Sequence, residues 1–322
     1  MESQKPRAAG PLQHSDYTVG WVCALPKELT AATAMLDERH KDRELHLKRK
    51  RNDINTYTLG SMGGHNIVIA CLPKGRFGTI SAATVAAQMI NAFPAVRFGL
   101  MVGIGGAVSR KVRLGDVVVG TPSGQHPGVV QWDMGKTGDY HDTEGSKVTV
   151  YLKEVGESNP RLQTRYDKSQ LVDRLFKSSY QHVRDPHETE EDEMEDENDN
   201  DGCRHCDPAQ TVKRKPRDTL IHYGTIASGN QVIKNAKLRD QLANDLGGNV
   251  LCVEMESAGL MDNFPCIVIR GICDYADSHK NDAWQEHAAA VAAAFAKEFL
   301  GYVQASEVEG ERTVQEALQT GR

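Results

Sequence analysis

No stretch of this 322-residue chain stays apolar for the roughly 20 residues that a membrane-spanning helix needs. Met1–Asp16 likewise lacks an apolar segment that could direct secretion. The alanine-rich run Ala288–Ala296 is flanked by Glu286, His287, Lys297 and Glu298, so it reads as a helix packed inside a globular domain. Positive charge is not in excess either. With 38 Lys and Arg against 44 Asp and Glu, the net charge of −6 gives no bulk attraction to nucleic acid or to an acidic membrane. The basic word Lys48-Arg-Lys-Arg51 reads as a solvated turn. A paired disulfide framework is also missing: the seven cysteines are odd in number, and Cys23, Cys71, Cys252, Cys266 and Cys273 lie in apolar, strand-like runs. Such usage fits buried reduced thiols. Together these absences predict a cytoplasmic globular protein whose partner is neither nucleic acid nor membrane. A hydrophobic content of 39% suffices for a sizeable core.

What is present alternates. Tyr17–Leu25 is strand-like and ends at Pro26, and Lys27–Leu36 then has helical spacing with a proline suited to its start. Asn55–Leu59 and Asn66–Leu72 flank a glycine-containing turn and predict a β-hairpin. Thr79–Ala92 predicts a helix. Phe98–Ile104 predicts a strand that breaks at Gly103, Gly105 and Gly106, and Leu114–Val119 predicts another. Tyr223–Ala227, a helix over Ala236–Leu246 and a last helix over Asp282–Val303 complete the pattern. Strands alternating with helices imply a twisted sheet covered on both faces, and the hairpin makes that sheet mixed. Residues 1–15 are expected as a disordered N-terminus, 16–303 as one catalytic domain, and 304–322 as a polar tail or linker stub.

Between Gln181 and Asp218 the alternation fails. Glu188–Asp201 is almost wholly acidic or amide and predicts a disordered insertion. Cys203-Arg-His-Cys206 follows, but a four-ligand zinc site needs two more groups, and only scattered histidines such as His182 and His187 are candidates. The expectation is therefore no metal, with a local disulfide or two idle thiols in its place.

The chemistry concentrates where two apolar runs end abruptly in acids: Asn249-Val-Leu-Cys-Val-Glu-Met-Glu-Ser257 and Cys266-Ile-Val-Ile-Arg-Gly-Ile-Cys-Asp-Tyr-Ala-Asp277. Ligands of open α/β sheets bind outside the carboxyl ends of the strands. Glu254, Glu256, Asp274 and Asp277 are thus expected near one crevice.

The V-E-M-E word and Arg270-Gly-Ile-Cys-Asp274 resemble signatures of the purine nucleoside phosphorylase and nucleosidase superfamily, and they occur in family order from Asp16 to Val303 apart from the insertion. Ile221–Lys234 and Ile272–Lys280 are similar in particular to its fungal members, which are often N-terminal modules of multidomain proteins. The resemblance implies a three-layer α/β/α sandwich around a mixed twisted sheet, a small purine nucleoside or nucleotide as partner, self-association, and no cofactor. It gives Asp274 as the acid that protonates the departing base, Glu256 as the grip on the ribose 2′ and 3′ hydroxyls, and Met255 as the lining of the sugar face. Asn230, Val232 and Ile233 are placed at the base. Cleaving an N-ribosidic bond passes through an oxocarbenium-like state, so an acid for the leaving group and a polar hold on the sugar are both wanted. On residue type alone Asp274 also reads as a helix cap, and Met255 as core.

What attacks the sugar divides the family. Its phosphorylases hold phosphate with arginines, whereas Ala24-Leu-Pro-Lys-Glu-Leu29 resembles the nucleosidase loop, with Glu28 where the water-activating base stands. Glu28 also reads as a first-turn glutamate favoured by the helix dipole. The turn around Gly103, Ile104 and Gly105 has no serine or arginine to hold phosphate, while Arg76 in a glycine-rich turn could bind an anion. A purine nucleoside N-ribohydrolase is therefore expected. The rivals are a phosphorylase, a nucleosidase acting on ATP or another purine nucleotide, and a silent nucleoside-sensing module.

Overall fold

The computed structural model describes residues 11–41, 50–122, 128–132, 141–143, 148–184, 203–261 and 263–320. In chain order the elements are β1 (Val19–Cys23), α1 (Pro26–Ala34), β2 (Glu38–Arg39), β3 (Tyr57–Met62), β4 (His65–Cys71), α2 (Thr79–Ala92) and β5 (Phe98–Ala107). Then come β6 (Val117–Gly120), β7 (Val129–Gln131), β8 (His141–Thr143), α3 (Val148–Ser158), α4 (Pro160–Tyr166), β9 (Ile221–Ser228) and α5 (Ala236–Asp245). The chain continues through β10 (Val250–Glu254), α6 (Ala258–Met261), β11 (Cys266–Asp274), α7 (Gln285–Tyr302), α8 (Ala305–Gly310) and α9 (Val314–Thr320).

The strands form one mixed sheet in the order β10-β9-β6-β11-β5-β1-β4-β3-β2, with β7 and β8 also on β9. Parallel pairs β1–β4, β1–β5, β5–β11 and β6–β9 join antiparallel β3–β4 and β6–β11. Strand β10 pairs parallel with β9 and antiparallel with β5, so this part of the sheet closes on itself. That closure brings the ends of β10 and β11 to the glycines of β5.

Alternation along β1 builds the layers. Val19, Trp21 and Cys23 join a core with Ala31 and Ala32 of α1 and Ala289–Ala296 of α7, while Val22 faces Ala82, Val85 and Met89 of α2. The protein is thus a three-layer α/β/α sandwich, as the alternation predicts. The hairpin strands run on past Gly60 and reverse at Gly63 and Gly64, both at positive φ.

Three sequence expectations change. Residues 304–322 are not simply a polar tail: α8 and α9 dock, with Val308 and Val314 buried and the Val314 N–H donating to Val96 O at 2.8 Å. A few well-spaced valines suffice to anchor these short helices. At the other end, His14–Asp16 forms a 3-10 turn whose His14 ring lies 5.0 Å from Phe93, so part of the expected disordered N-terminus is ordered; residues 1–10 lie outside the described residues. The flanks of the acidic insertion also pack. Val212 N donates to Leu175 O at 2.7 Å, Phe176 is buried, and Arg217 pairs with the buried Asp116. Residues 185–202, which hold most of the acidic run, lie outside the described residues.

Candidate active site

The turn from β1 into α1 places Glu28 at the third helical position, where a glutamate reaches back to unpaired backbone donors. Its Oε2 accepts from Ala24 N at 2.7 Å and Leu25 N at 2.9 Å. Oε1 crosses to β5 and accepts from Ile104 N at 2.8 Å. Burial pushes the Glu28 carboxyl above its ordinary range, against the opposing pull of the Arg270 guanidinium and these three N–H groups.

The glycines of β5 do something other than turn. The strand runs unbroken to Ala107, with Gly103 opposite Arg270 and Gly105 opposite Ile272 on β11. A Cβ on Gly103 would lie 2.5 Å from Glu28 Oε1 and 2.6 Å from Arg270 Nη1, and one on Gly106 would lie 2.6 Å from Asp274 Oδ1. The expected glycine turn at Gly103, Ile104 and Gly105 is therefore a bare strand surface against which the charged groups of neighbouring elements lie.

Arg270, fully buried in the middle of β11, is the electrostatic centre that the sequence reading left out of the site. Its Nη2 is bonded to Glu254 and lies 3.8 Å from Glu256 Oε2. Among the described residues, Nη1 and Nε have no hydrogen-bond partner. Glu254 also accepts from Glu256 N at 3.1 Å and Ser257 N at 3.0 Å. It is saturated, and so orients Arg270 and the turn that carries Glu256.

Burial, together with the like charge of Glu254, pushes the Glu256 carboxyl up to about 7. Between its ordinary value of 4.5 and about 7 the folded protein holds a proton that an unfolded chain has already lost. This group's stabilising contribution is full below the unfolded value and is lost as pH rises through about 7. Activity should run the opposite way, because only the carboxylate accepts hydrogen bonds through both oxygens. We expect kcat/KM to rise, and ligand-free thermal stability to fall, across pH 5–7. Parallel pH profiles of rate and melting temperature check this, and a kcat/KM flat over that window would contradict it.

Asp274 closes β11. Burial raises its pKa, but the Lys280 ammonium, with Nζ 3.0 Å from Oδ2, the Ala276 N–H at 2.8 Å and the Cys273 thiol outweigh burial and hold the carboxyl below its usual range. In the ligand-free protein Asp274 is an anion paired with Lys280. Asp277 faces elsewhere: its Oδ1 accepts from His279 N at 2.9 Å and its Oδ2 lies 3.8 Å from Arg239 Nη1. It does not line the cavity formed by the other acids.

Glu28, Glu254, Glu256 and Asp274 share a cavity of about 240 Å³ with Ile104, Gly105, Val232, Ile233, Met255 and Lys280. Phe77 and Val232, each 52% exposed, flank it and present apolar faces. Two expected residues lie elsewhere. Asn230 Oδ1 accepts from Thr79 N at 3.1 Å and Oγ1 at 3.2 Å, so it anchors the start of α2 and is absent from the lining. Arg76 does not line the cavity either. Phe77, Arg270 and Lys280 went unassigned in sequence, although an arginine inside an apolar strand is itself a signal, because a buried guanidinium needs carboxylate partners.

A family model described as the phosphorylase superfamily matches residues 18–304. Over 321 residues the chain is 43% identical to a nucleotide-binding leucine-rich repeat (NLR)-like protein of Hyaloscypha variabilis, covering 97% of this chain and 32% of that protein. The chain thus spans about a third of that relative's length. Over 292 residues it is 25% identical to a 5′-methylthioadenosine/S-adenosylhomocysteine nucleosidase of Mycobacterium bovis, covering 88% of this chain and 95% of that one. A solved nucleosidase of the same description from Helicobacter pylori matches with a TM-score of 0.53 at 16% identity, over 90% of this chain and 100% of that one, a likeness of fold. Since the match to the family model takes in every strand that feeds the acidic cavity, the chain belongs to the phosphorylase superfamily.

Proposed function

We propose that this protein hydrolyses the N-glycosidic bond of purine nucleosides, releasing free base and ribose. The observation that carries the reading is the convergence of Glu28, Glu256 and Asp274 on one cavity whose lining, among the described residues, includes no arginine to cradle a phosphate. Glu256 accepts the ribose 2′ and 3′ hydroxyls, with Met255 against the sugar and Val232, Ile233 and Phe77 around the base. The Glu28 carboxylate takes the proton of a water molecule in the cavity as that water's oxygen bonds to the anomeric carbon. A base whose pKa has been raised by burial is better matched to this task at neutral pH. As the bond from C1′ to the purine breaks, its electron pair goes to the base, and N7 takes a proton from the Asp274–Lys280 pair. Because Asp274 rests as an anion, the ammonium of Lys280 is the store of that proton and the carboxylate passes it on. The proton held by Glu28 returns to the pair through solvent.

The relative from Hyaloscypha variabilis, about three times as long, supports a place for this unit within a multidomain protein. Incubation with inosine, adenosine, methylthioadenosine and ATP, with and without phosphate, tests the proposal. Purine release from at least one nucleoside in phosphate-free buffer is expected, and strict phosphate dependence with ribose 1-phosphate as product would overturn it.

A further inference from the structure

The strap on either side of residues 185–202 brings together three groups that lie far apart in sequence. Cys203-Arg-His-Cys206 closes as a tight turn, its Cys206 N–H donating to Cys203 O at 3.3 Å. His182 comes from the other side of the strap. Its Nδ1 lies 3.2 Å from Cys206 Sγ and 3.9 Å from Cys203 Sγ, and the three ligand atoms all fall within 4.8 Å of one another. Tetrahedral zinc, with Zn–S near 2.3 Å and Zn–N near 2.05 Å, sets S···N at about 3.6 Å and S···S at about 3.8 Å. The two S···N distances bracket the first of these values.

Two further features point to a ligand. The Val183 N–H lies 3.4 Å from Cys206 Sγ, an arrangement that stabilises a thiolate sulfur. His279 is buried, its ring stacked 3.9 Å from Phe176 and set edge-on 5.6 Å from the His182 ring, yet among the described residues neither of its nitrogens has a hydrogen-bond partner. Its Nδ1 lies 3.6 Å from Asp277 Oδ1. An imidazole buried without partners is costly unless something else takes its lone pair.

We propose that Cys203, Cys206 and His182 hold a structural zinc ion; His279, whose nitrogens lie outside that 4.8 Å group, would have to move inward to fill the fourth position. This departs from the sequence expectation of no metal, which rested on the lack of visible partners for the two cysteines. The ion would fasten the strap to the segment after β11: the His182 N–H already donates to Ser278 Oγ at 3.0 Å, two residues before Lys280. A cavity of about 430 Å³ lined by Cys203, Asp277 and His279 reaches Asp274 from behind. The zinc therefore supports the loop that carries the Asp274–Lys280 pair and takes no part in bond cleavage.

Elemental analysis of the full chain, purified without chelator, should find about one zinc per chain, because a site with two thiolates binds zinc tightly. Stripping the metal should lower the melting temperature and adding zinc should restore it. Cys203→Ser and His182→Ala should each lower the zinc retained after dialysis at least about tenfold. Should those variants fail to fold, cobalt exchanged into the unaltered protein gives a second readout: thiolate-to-cobalt charge-transfer absorption together with intense tetrahedral d–d bands. Protein that carries no metal, shows no change in melting on zinc addition and gives no such cobalt spectrum would overturn the proposal. An intact mass showing a disulfide between Cys203 and Cys206 in freshly purified protein would overturn it equally.

Discussion

Glu28→Gln should slow hydrolysis of every accepted substrate by about 10²–10⁴-fold, the range for loss of a positioned general base. Both carboxylate oxygens of Glu28 are fixed by N–H donors, from Ala24 and Leu25 on one side and Ile104 on the other. A glutamine can accept on one side only, so its NH₂ must face a backbone N–H on the other. The substitution therefore removes the base and misplaces the side chain, and Glu28→Ala should give a loss of similar size. Because deprotonation of water is common to all substrates, the loss should be the same for inosine and for a nitrophenyl riboside. Steady-state kcat on both, with melting temperatures to show that the fold is kept, checks the prediction. A loss confined to purine nucleosides would assign Glu28 to the leaving group.

The second large effect separates the two ends of the bond. Asp274→Asn should lower turnover of purine nucleosides by about 10²–10⁴-fold, since an amide cannot pass the Lys280 proton to N7. Nitrophenolate leaves readily without a proton, so activity on its riboside should largely survive, provided that substrate is accepted. Asparagine also lacks the charge that holds Lys280, whose pKa is raised chiefly by Asp274. Lys280→Met leaves the carboxyl in place and removes the charge that holds its pKa down, so Asp274 can take a proton from solvent and the loss should be smaller than for Asp274→Asn. Equal losses on both substrates for Asp274→Asn would mean that the residue shapes the pocket instead of delivering the proton.

Glu28, Glu256 and Asp274 stand out in the sequence for different reasons. Asp274 and Glu256 stand out because apolar strands deliver them at their carboxyl ends, and strand ends are where such sheets bind ligands. Glu28 stands out because Pro26 marks the first helical position and places a glutamate in the first turn, although only the resemblance gave it a role. What stayed hidden depends on pairing between distant segments. The word Gly103-Ile-Gly-Gly106 looks like a turn, and only the pairing of β5 with β11 and β10 makes it a continuous strand whose missing side chains admit Glu28, Arg270 and Asp274. Lys280 likewise acquires meaning from a loop that folds back six residues after its partner. Asn230 shows the converse: a polar residue in a binding-site word whose side chain is taken up by the start of α2.

The most direct test of water as the nucleophile is isotopic. Turnover of a purine nucleoside in ¹⁸O-enriched, phosphate-free water, with the sugar reduced at once to prevent exchange and examined by mass spectrometry, should place the label on C1 of ribose and none on the purine. Unlabelled sugar, or product formed only after phosphate is added and recovered as ribose 1-phosphate, would contradict the account.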